Sequence, residues 1–260
     1  MRVDLLLPGL LWPHDDGADV MRAPEATTLE RWLARGTTVP EPELRVAEWL
    51  WNRFTNTDAP DPATGTPGAS SARDLPIAPV TFALDGGRPG ARYWMRADPV
   101  HFIVTRTGLR LAPEHALDLS DEEAAALAAT IGAHFADAPR FALHAPNARR
   151  WYLGADTPFD LATTAPSIAQ GGDVDHGLPQ GAHRLEWVAF LNEVQMLWFE
   201  HPVNLAREQR GEPVASSLWL HGPGRLPPPG KPRHTHTAGG DGLLAALAAL
   251  TDRPHRTTDT

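Results

Sequence analysis

The stretch from Trp187 to Gly224 constrains the fold of this chain more than any other part of its sequence. It starts inside an amphipathic helix predicted over residues 183–200 and ends in a short apolar strand predicted over residues 217–220. The helix has one apolar stripe, formed by Trp187, Phe190, Leu191, Val194, Leu197 and Trp198. Polar and charged side chains lie between the helix and the strand, where an α/β protein usually keeps a binding site.

Strands and helices interleave along the chain, which predicts a mixed α/β fold with helices on both sides of a mixed sheet. Short apolar or alternating runs predict strands over residues 3–7, 79–84, 92–96, 100–104, 141–144 and 151–153. Helical spacing predicts helices over residues 29–36, 45–54, 120–136 and 243–250. Gly, Pro and Asp predict turns at residues 85–87, 98–99, 107–108 and 222–224. Ser120 and Glu123 form a capping box at the start of the Ala-rich helix.

The predicted domain organisation follows from these elements and from composition. Residues 1–225 are expected to form one α/β domain, with an inserted antiparallel α+β block near residues 78–155. Residues 56–75 have no periodicity and predict a mobile loop. Residues 226–260 are expected to be a Pro/Gly-rich linker, a short helix and a frayed tail.

Composition excludes several classes of function. The formal net charge of −9 gives no support to a surface for nucleic acid or anionic membranes. The chain has no cysteine, which excludes disulfides and thiolate chemistry. No segment approaches the roughly 20 apolar residues that span a bilayer, and the apolar run before Pro8 is too short for a signal peptide. We therefore expect a cytoplasmic protein without a nucleic-acid or membrane partner.

Motifs for metal binding and nucleophilic catalysis are weak. The twelve histidines include no H-x-x-x-H pair, and His234 and His236 lie in the Pro/Gly-rich tail. His14, Asp15 and Asp16 fit either a metal site or plain surface. The sequence contains no G-x-S-x-G elbow, P-loop or dinucleotide fingerprint.

Two polar clusters are candidates for binding. Arg96, Asp98 and His101 lie within a few residues, suited either to gripping an anion through the guanidinium fork or to pinning a turn with an Arg–Asp pair. Trp94 and Arg96 are expected to share one face of their strand. The second cluster, His201-Pro202-Val203-Asn204 with Arg207, follows the predicted helix at its C-terminal end and fits either a ligand site or a helix cap.

The chain resembles a known family at several motifs. It is similar to the proteobacterial family called "regulatory protein, RpfE type", and more distantly to archaeal-type, metal-dependent, cofactor-independent phosphoglycerate mutases of the alkaline phosphatase superfamily. The resemblance covers residues 3–250 and implies a partial alkaline-phosphatase-like sheet. The motifs that support it are Leu6 to Leu10, Tyr93 to His101, Leu191 to Met196, His201 to Asn204 and Ser217 to Gly224.

Departures from the superfamily pattern count against its reaction. Pro8 stands where the resemblance places the first metal-binding Asp, and Asp98 departs from an R-x-N motif. No serine lies between Gly36 and Trp51, where a nucleophile is expected, although Thr37 and Thr38 do. The resemblance also places further metal ligands beyond residue 260. Without metals, phosphoryl transfer loses its charge stabilisation and its activated nucleophile.

These observations leave three hypotheses. We predict a non-catalytic regulatory or binding protein that keeps a pocket for a small anionic metabolite of the phospho-sugar-acid type and needs no cofactor. The alternatives are an active phosphomutase or phosphatase using Mn²⁺ or Mg²⁺ on His14, Asp15, Asp16 and His101, and a structural or interaction protein without a ligand. The predicted site residues are Arg96, Asp98, His101, Asn192, Glu193, His201, Asn204 and Arg207.

Overall fold

The structure, a computed structural model, describes residues 45–55, 74–106, 108–137 and 141–258, together with residues 4, 6, 31, 34, 35 and 37. The chain forms two compact units, residues 1–49 and 50–260. In the first unit the described side chains include an ion pair of 2.6 Å between Arg45 and Glu48. The strand predicted over residues 3–7, the helix over 29–36 and the loop over 56–75 fall wholly or largely outside the described residues.

Helices and strands alternate, which confirms the mixed α/β class. The described helices are α1 (Val46–Phe54), α2 (Ala78–Leu84), α3 (Asp121–His134), α4 (Pro166–Ala169), α5 (Val174–Gly177), α6 (Arg184–Phe199), α7 (Pro202–Arg210) and α8 (Gly242–Leu250). The strands are β1 (Tyr93–Val100), β2 (Phe102–Thr105), β3 (Gly108–Leu111), β4 (Ala142–His144), β5 (Tyr152–Ala155), β6 (Leu161–Ala162), β7 (Gln180–Gly181), β8 (Ser217–Gly224), β9 (Thr237–Ala238) and β10 (His255–Arg256). Among the described residues, no helix has the length and hydropathy needed to cross a membrane.

The central sheet has four described strands in the order β4-β5-β1-β8. Every pairing in it is antiparallel, so the prediction of a mixed sheet is wrong for this sheet. Within the described ranges, the parallel pairing is between β9 and β10, at the end of the chain predicted to be frayed. Strand β8, from the C-terminal part of the chain, pairs with β1, which lies in the predicted block near residues 78–155.

Strand β1 continues through the turn predicted at Asp98 and Pro99, and this prediction is wrong. Asp98 pairs with Trp219 and Pro99 with Leu218 on β8. On its other edge, Ala97 donates its N–H to Trp151, the residue just before β5. Because N–H groups alternate along a strand, the missing N–H of Pro99 falls on this second edge, beyond the end of β5.

The glycine turn predicted at residues 222–224 is instead a bulge inside β8. Its pairing with β1 shifts by one residue between Trp94 and Arg96, and Gly222 has φ of 62° in the left-handed region. A Cβ atom at Gly222 would lie 2.7 Å from Cγ1 of Ile77. Glycine is therefore needed here both for its backbone angle and for the close approach of residue 77.

Residues 78–84 form helix α2, so the strand predicted over residues 79–84 is wrong. Pro79 lies in the first helical turn, where its missing N–H costs little. Thr81 donates its hydroxyl back to the carbonyl of Ile77, at 3.1 Å. The residues from Ala78 to Phe82 are all buried, so the helix has no polar face to show its period in the sequence.

Helices cover both faces of the central sheet, as predicted. We call one side the apolar face: Met95, Ala97, Leu153, Leu218 and Leu220 pack there against α3 and α6 through Leu127, Ile131, Phe190, Val194 and Trp198. The other side, called the charged face, presents alternate residues of the same strands. It includes Trp94, Arg96, Asp98, Tyr152 and His221, and helix α2 packs against Trp94 and Tyr152 through Phe82.

Helices α3, α6 and α8 agree with the sequence. The capping box of α3 is confirmed: the Ser120 hydroxyl accepts from the Glu123 amide, and Glu123 accepts from the Ser120 amide. The apolar stripe of α6 is also confirmed, because Phe190, Leu191, Val194 and Trp198 are buried. Trp187 and Leu197 pack against the same core.

Candidate functional site

Arg96 and Asp98 form a buried ion pair on the charged face. They lie two residues apart on β1, so both side chains leave the same side of the strand. Arg96 donates from Nε to Oδ1 of Asp98 at 2.9 Å and from Nη2 to Oδ2 at 2.6 Å. The guanidinium fork of Arg96, predicted to bind an anion, is thus occupied by the carboxylate of Asp98.

Asp98 also accepts two further hydrogen bonds. The Trp151 amide donates to Oδ1 at 3.1 Å, and Nε2 of His221 lies 2.8 Å from Oδ2. Burial alone would raise the pKa of Asp98, but the charge of Arg96 and the bond from His221 outweigh it and lower that pKa. The carboxylate therefore stays ionised and links β1, β5 and β8.

His221 lies between two carboxylates. Its Nδ1 is 3.8 Å from Oδ2 of Asp74 and has no hydrogen-bond partner among the described residues. Asp74 accepts from the Gly222 amide at 2.7 Å. Burial is the main influence on Asp74 and raises its pKa.

Tyr152 joins this network to a second one at the edge of α2. The Arg96 guanidinium lies over the Tyr152 ring, 5.5 Å from its centroid, and Trp94 packs beside the same ring. The expected shared face of Trp94 and Arg96 is thereby confirmed. The Tyr152 hydroxyl donates to Oδ2 of Asp85 at 2.6 Å, and Arg150 binds the same carboxylate in a bidentate ion pair. These bonds outweigh the effect of burial and lower the pKa of Asp85.

Several members of these networks were missed in the sequence. His221 could have been found, because strand alternation places it on the same side of β8 as Trp219. Asp74, Asp85 and Tyr152 follow from no spacing in the sequence. The hydrogen bonds described above join them to residues 65 or more positions away, such as the 67-residue separation of Tyr152 and Asp85.

Asn204 and Arg207 anchor helix α7 through hydrogen bonds, and none of these bonds involves Arg96. Asn204 donates from Nδ2 to the carbonyls of Trp198 and Ala215, at 2.7 and 2.8 Å, and accepts from the Ala215 amide at 3.0 Å. Arg207 donates to the carbonyls of Pro213 and Asp118 and to Oε2 of Glu123, the last at 2.6 Å. Both side chains are buried and hydrogen-bonded to other parts of the protein.

His201 begins helix α7 instead of ending helix α6, whose C-cap is Glu200. A positive charge on His201 is disfavoured there, because the N-terminal end of a helix carries partial positive charge. Its Nδ1 accepts from the Val203 amide at 3.2 Å, and its Nε2 lies 3.0 Å from the hydroxyl of Thr130. An acceptor Nδ1 requires neutral imidazole, and burial lowers the pKa of His201 in agreement.

His101 and Glu193 occupy two further places on the molecule. Nδ1 of His101 is 2.9 Å from the carbonyl of Val214, so that nitrogen is the donor. Glu193 lies on the exposed side of α6 and pairs with His134 at 2.9 Å. The predicted site residues thus form no single cluster: Arg96 pairs with Asp98. His101, Asn204 and Arg207 bind the segment of residues 213–215.

Asn192 alone of the predicted residues lines a cleft beside β8, a strand at the edge of the described sheet. The cleft has a volume of about 160 Å³ and lies between α5, α6 and residues 217–220 of β8. Its polar lining includes Asn192, Gln195 and Ser217. Its apolar lining includes Phe102, Leu109, Val174, Leu178, Val188, Leu191, Leu218, Trp219 and Leu220.

Ser217 is the unusual member of this lining. It is only 1% exposed, and its Oγ has no hydrogen-bond partner among the described residues. A buried hydroxyl without a partner costs about 1–3 kcal/mol. Its neighbour Ser216 is different, because its Oγ accepts from the Phe102 amide at 3.0 Å. Ser217 therefore lies in the wall of the cleft and carries a buried hydroxyl that the described protein leaves unsatisfied.

The metal-dependent hypothesis meets no ligand cluster in the described part of the chain. No group of three or more His, Asp or Glu side chains is placed there to hold a metal ion. His14, Asp15 and Asp16 lie outside the described residues, as do Pro8 and Thr38. Their proposed role stays a prediction.

Comparison with known proteins gives only distant similarity. No model of a known protein family matches the chain, and no curated protein matches it. The RpfE-type resemblance therefore gains no support. The solved cofactor-independent phosphoglycerate mutase from Thermoplasma acidophilum DSM 1728 is weakly similar, with a TM-score of 0.44 and 13% identity over 82% of this chain and 62% of that one.

The PH0037 protein from Pyrococcus horikoshii is also weakly similar. Its TM-score is 0.39 and its identity 17%, over 79% of this chain and 49% of that one. The present chain thus spans less than two thirds of either structure. The alkaline-phosphatase-like arrangement stays a prediction, whereas the mixed α/β class rests on the helices and strands described above.

Proposed function

We propose that this chain is a non-catalytic binding protein whose ligand occupies the cleft beside β8. The observation that carries this proposal is the unsatisfied hydroxyl of Ser217 in a mostly apolar lining. Pockets for small molecules combine apolar walls with a few polar groups that fix orientation. The binding role predicted from the sequence is kept, but its location moves from Arg96 to Ser217.

The ligand class follows from the volume and charge of the cleft. A cavity of about 150 Å³ accommodates a molecule of the size of benzene, and this cleft is similar at about 160 Å³. The charged side chain in its lining is Asp175, a carboxylate that repels anions. Arg96 and Arg207, the two predicted anion-binding cations, are engaged by Asp98 and Glu123. These features favour an uncharged, ring-sized molecule over a phospho-sugar acid.

One hydrogen-bonding group on that molecule would satisfy Ser217. The serine hydroxyl both donates and accepts, and the amides of Asn192 and Gln195 do the same. A ligand hydroxyl placed against Ser217 removes the cost of the unpaired group, whereas a methyl group of similar size does not. The proposed ligand is therefore a small cyclic or aromatic alcohol, or a molecule with an equivalent polar edge.

The test compares phenol with toluene, which have nearly the same shape. Isothermal titration of the wild type should show tighter binding of phenol, by about tenfold for one buried hydrogen bond. Ser217→Ala should lose this preference and still bind toluene. The same substitution removes an unsatisfied hydroxyl, so the free protein should become about 1 kcal/mol more stable.

Ser167→Ala is the matched control, because it removes a hydroxyl from an exposed position of helix α4. It should leave the preference for phenol unchanged. Equal phenol binding by wild type and Ser217→Ala would contradict the proposed site. If inorganic phosphate binds the wild type and does not bind Arg96→Met, the anion pocket predicted at Arg96 would be supported instead.

A further inference from the structure

The outer surface of helix α6 exposes large apolar side chains. Leu185, Met196 and Phe199 are 76%, 77% and 79% exposed, although this helix buries a complete apolar stripe on its inner side. Ala189 is exposed as well. Single apolar residues on a surface are ordinary, but a row of them along one helix marks an interaction surface.

The spacing of these residues is that of a coiled coil. Residues 185, 189, 192, 196 and 199 are separated by 4, 3, 4 and 3 positions. This is the alternation of d and a positions in a heptad, which forms one seam along a helix. Helix α6 has 16 residues, so the seam is about 24 Å long. Its one polar position is Asn192, at a d position.

Glutamates line one side of the seam. Glu186, Glu193 and Glu200 each follow a d position directly, which places them at successive e positions. The Glu186 and Glu193 side chains are 52% and 48% exposed, each beside a histidine, His183 or His134. The other side of the seam, at Val188 and Gln195, has no charge. The seam therefore has an acidic edge along its whole length.

We propose that the outer face of α6 docks an amphipathic helix of a partner protein whose apolar seam is flanked by lysines or arginines. The apolar positions supply the buried surface, and the row of glutamates selects a basic partner. This inference goes beyond the ligand proposed above, although Asn192, Val188 and Gln195 contribute both to the face and to the cleft.

A second copy of the chain fits this face less well. Two antiparallel α6 helices would bring their e positions together, so that Glu186 meets Glu200 and Glu193 meets its own copy. A parallel pair would set the glutamates against Val188 and Gln195 without any ion pair. An anionic membrane surface is disfavoured by the same carboxylates and by the net charge of −9.

The probe is a synthetic helix of about four heptads with leucine at a and d and lysine at e and g. A matched peptide has glutamate in place of lysine. Fluorescence anisotropy should show that the lysine peptide binds the full chain at least about tenfold more tightly than the glutamate peptide. Raising the salt concentration should narrow this difference, because exposed charges are screened.

Two variants separate the contributions. Met196→Ser with Phe199→Ser should weaken binding of the lysine peptide by tenfold or more. Val104→Ser is the matched control, since Val104 is 81% exposed and belongs to β2 rather than to this helix. Glu186→Lys, Glu193→Lys and Glu200→Lys together should reverse the preference toward the glutamate peptide. All variants touch exposed side chains, so circular dichroism and melting should confirm that the fold is kept.

Several outcomes would overturn the inference. The proposal of a basic partner would be contradicted if both peptides bind equally. It would also be contradicted if the triple Glu→Lys variant keeps the wild-type preference. Self-association of the wild type that Met196→Ser with Phe199→Ser abolishes would assign the face to a second copy. Binding to phosphatidylserine vesicles, lost in the same variant, would assign it to a membrane. Protection of the Met196→Cys variant from maleimide in the absence of any partner would show that the face is already covered. Ser217→Ala should not affect peptide binding, which separates this result from the fate of the proposed ligand site.

Discussion

The two faces of the central sheet are stabilised by different interactions: one by apolar packing, the other by ion pairs and hydrogen bonds. On the apolar face, Met95, Leu153 and Leu220 pack against α3 and α6 through many weak contacts. On the charged face, Arg96, Asp98 and His221 each satisfy the next group by a specific bond. A charged network of this kind uses up the binding capacity of its members. The edge of the Arg96 guanidinium predicted to grip an anion is therefore occupied by Asp98.

The largest effect should come from opening the charged face. Arg96→Met leaves the Asp98 carboxylate buried without its main partner, and loss of one member of a buried pair costs about 3–5 kcal/mol. Burial should then raise the pKa of Asp98. In the variant, the contribution of Asp98 to the free energy of unfolding is fully present below the pKa of Asp in the unfolded chain. It is lost as the pH rises through the raised pKa of the folded state. Urea unfolding at pH 5 and pH 7 should therefore show a larger penalty at pH 7. Equal penalties at both values would contradict the role of this pair.

The apolar face supplies the matched comparison. Leu127 is fully buried between α3 and the sheet, and Leu127→Ala should cost about 2–5 kcal/mol through lost contacts and a residual cavity. No titrating group is uncovered, so the penalty should be the same at pH 5 and pH 7. A penalty that changes between these values would show that the two faces are coupled.

A polar but uncharged anchor should give an intermediate result. Asn204→Ala removes three hydrogen bonds and takes the side-chain partner from both the amide and the carbonyl of Ala215. The expected cost is about 1–3 kcal/mol, independent of pH between 5 and 7. Urea unfolding checks the value. A loss below about 0.5 kcal/mol would mean that water replaces the side chain without penalty.

The smallest effect concerns the junction between α6 and α7. The folded pKa of His201 is lowered by burial, so its contribution to stability is present above the unfolded value near 6.5 and is lost as pH falls below it. His201→Asn keeps a good N-cap side chain but does not titrate. Thermal melts between pH 7 and pH 5 should therefore be flatter for the variant. An unchanged slope would assign the pH dependence to other groups, of which His144 also has a pKa lowered by burial.

Local signals in the sequence predicted several elements well. The capping box at Ser120 and the stripe of α6 act over three or four residues, and both appear in the structure. The wrong predictions concern elements whose structure depends on contacts with residues that are distant in the sequence. Residues 78–82 are all buried, so their helical period is hidden. Pro99 continues a strand because β5 does not extend to it on that edge.

The candidate site was harder to predict for the same reason. Asp98 could be seen beside Arg96, but not that His221 and Trp151 complete its bonds from 123 and 53 residues away. Ser217 gave no signal either, because an unsatisfied hydroxyl is a property of the folded surroundings. The cleft itself is built from helices and strands that are distant in the sequence.

The most direct measurement is a nuclear magnetic resonance titration of labelled protein with phenol and with inorganic phosphate. Phenol should shift the backbone amides of Ser217, Leu218 and Trp219, and phosphate should leave the Nε–H signal of Arg96 unchanged. These results would place binding in the cleft and show that the charged face is self-contained. A phosphate-dependent shift of Arg96, with the amides of β8 unaffected by phenol, would contradict the account.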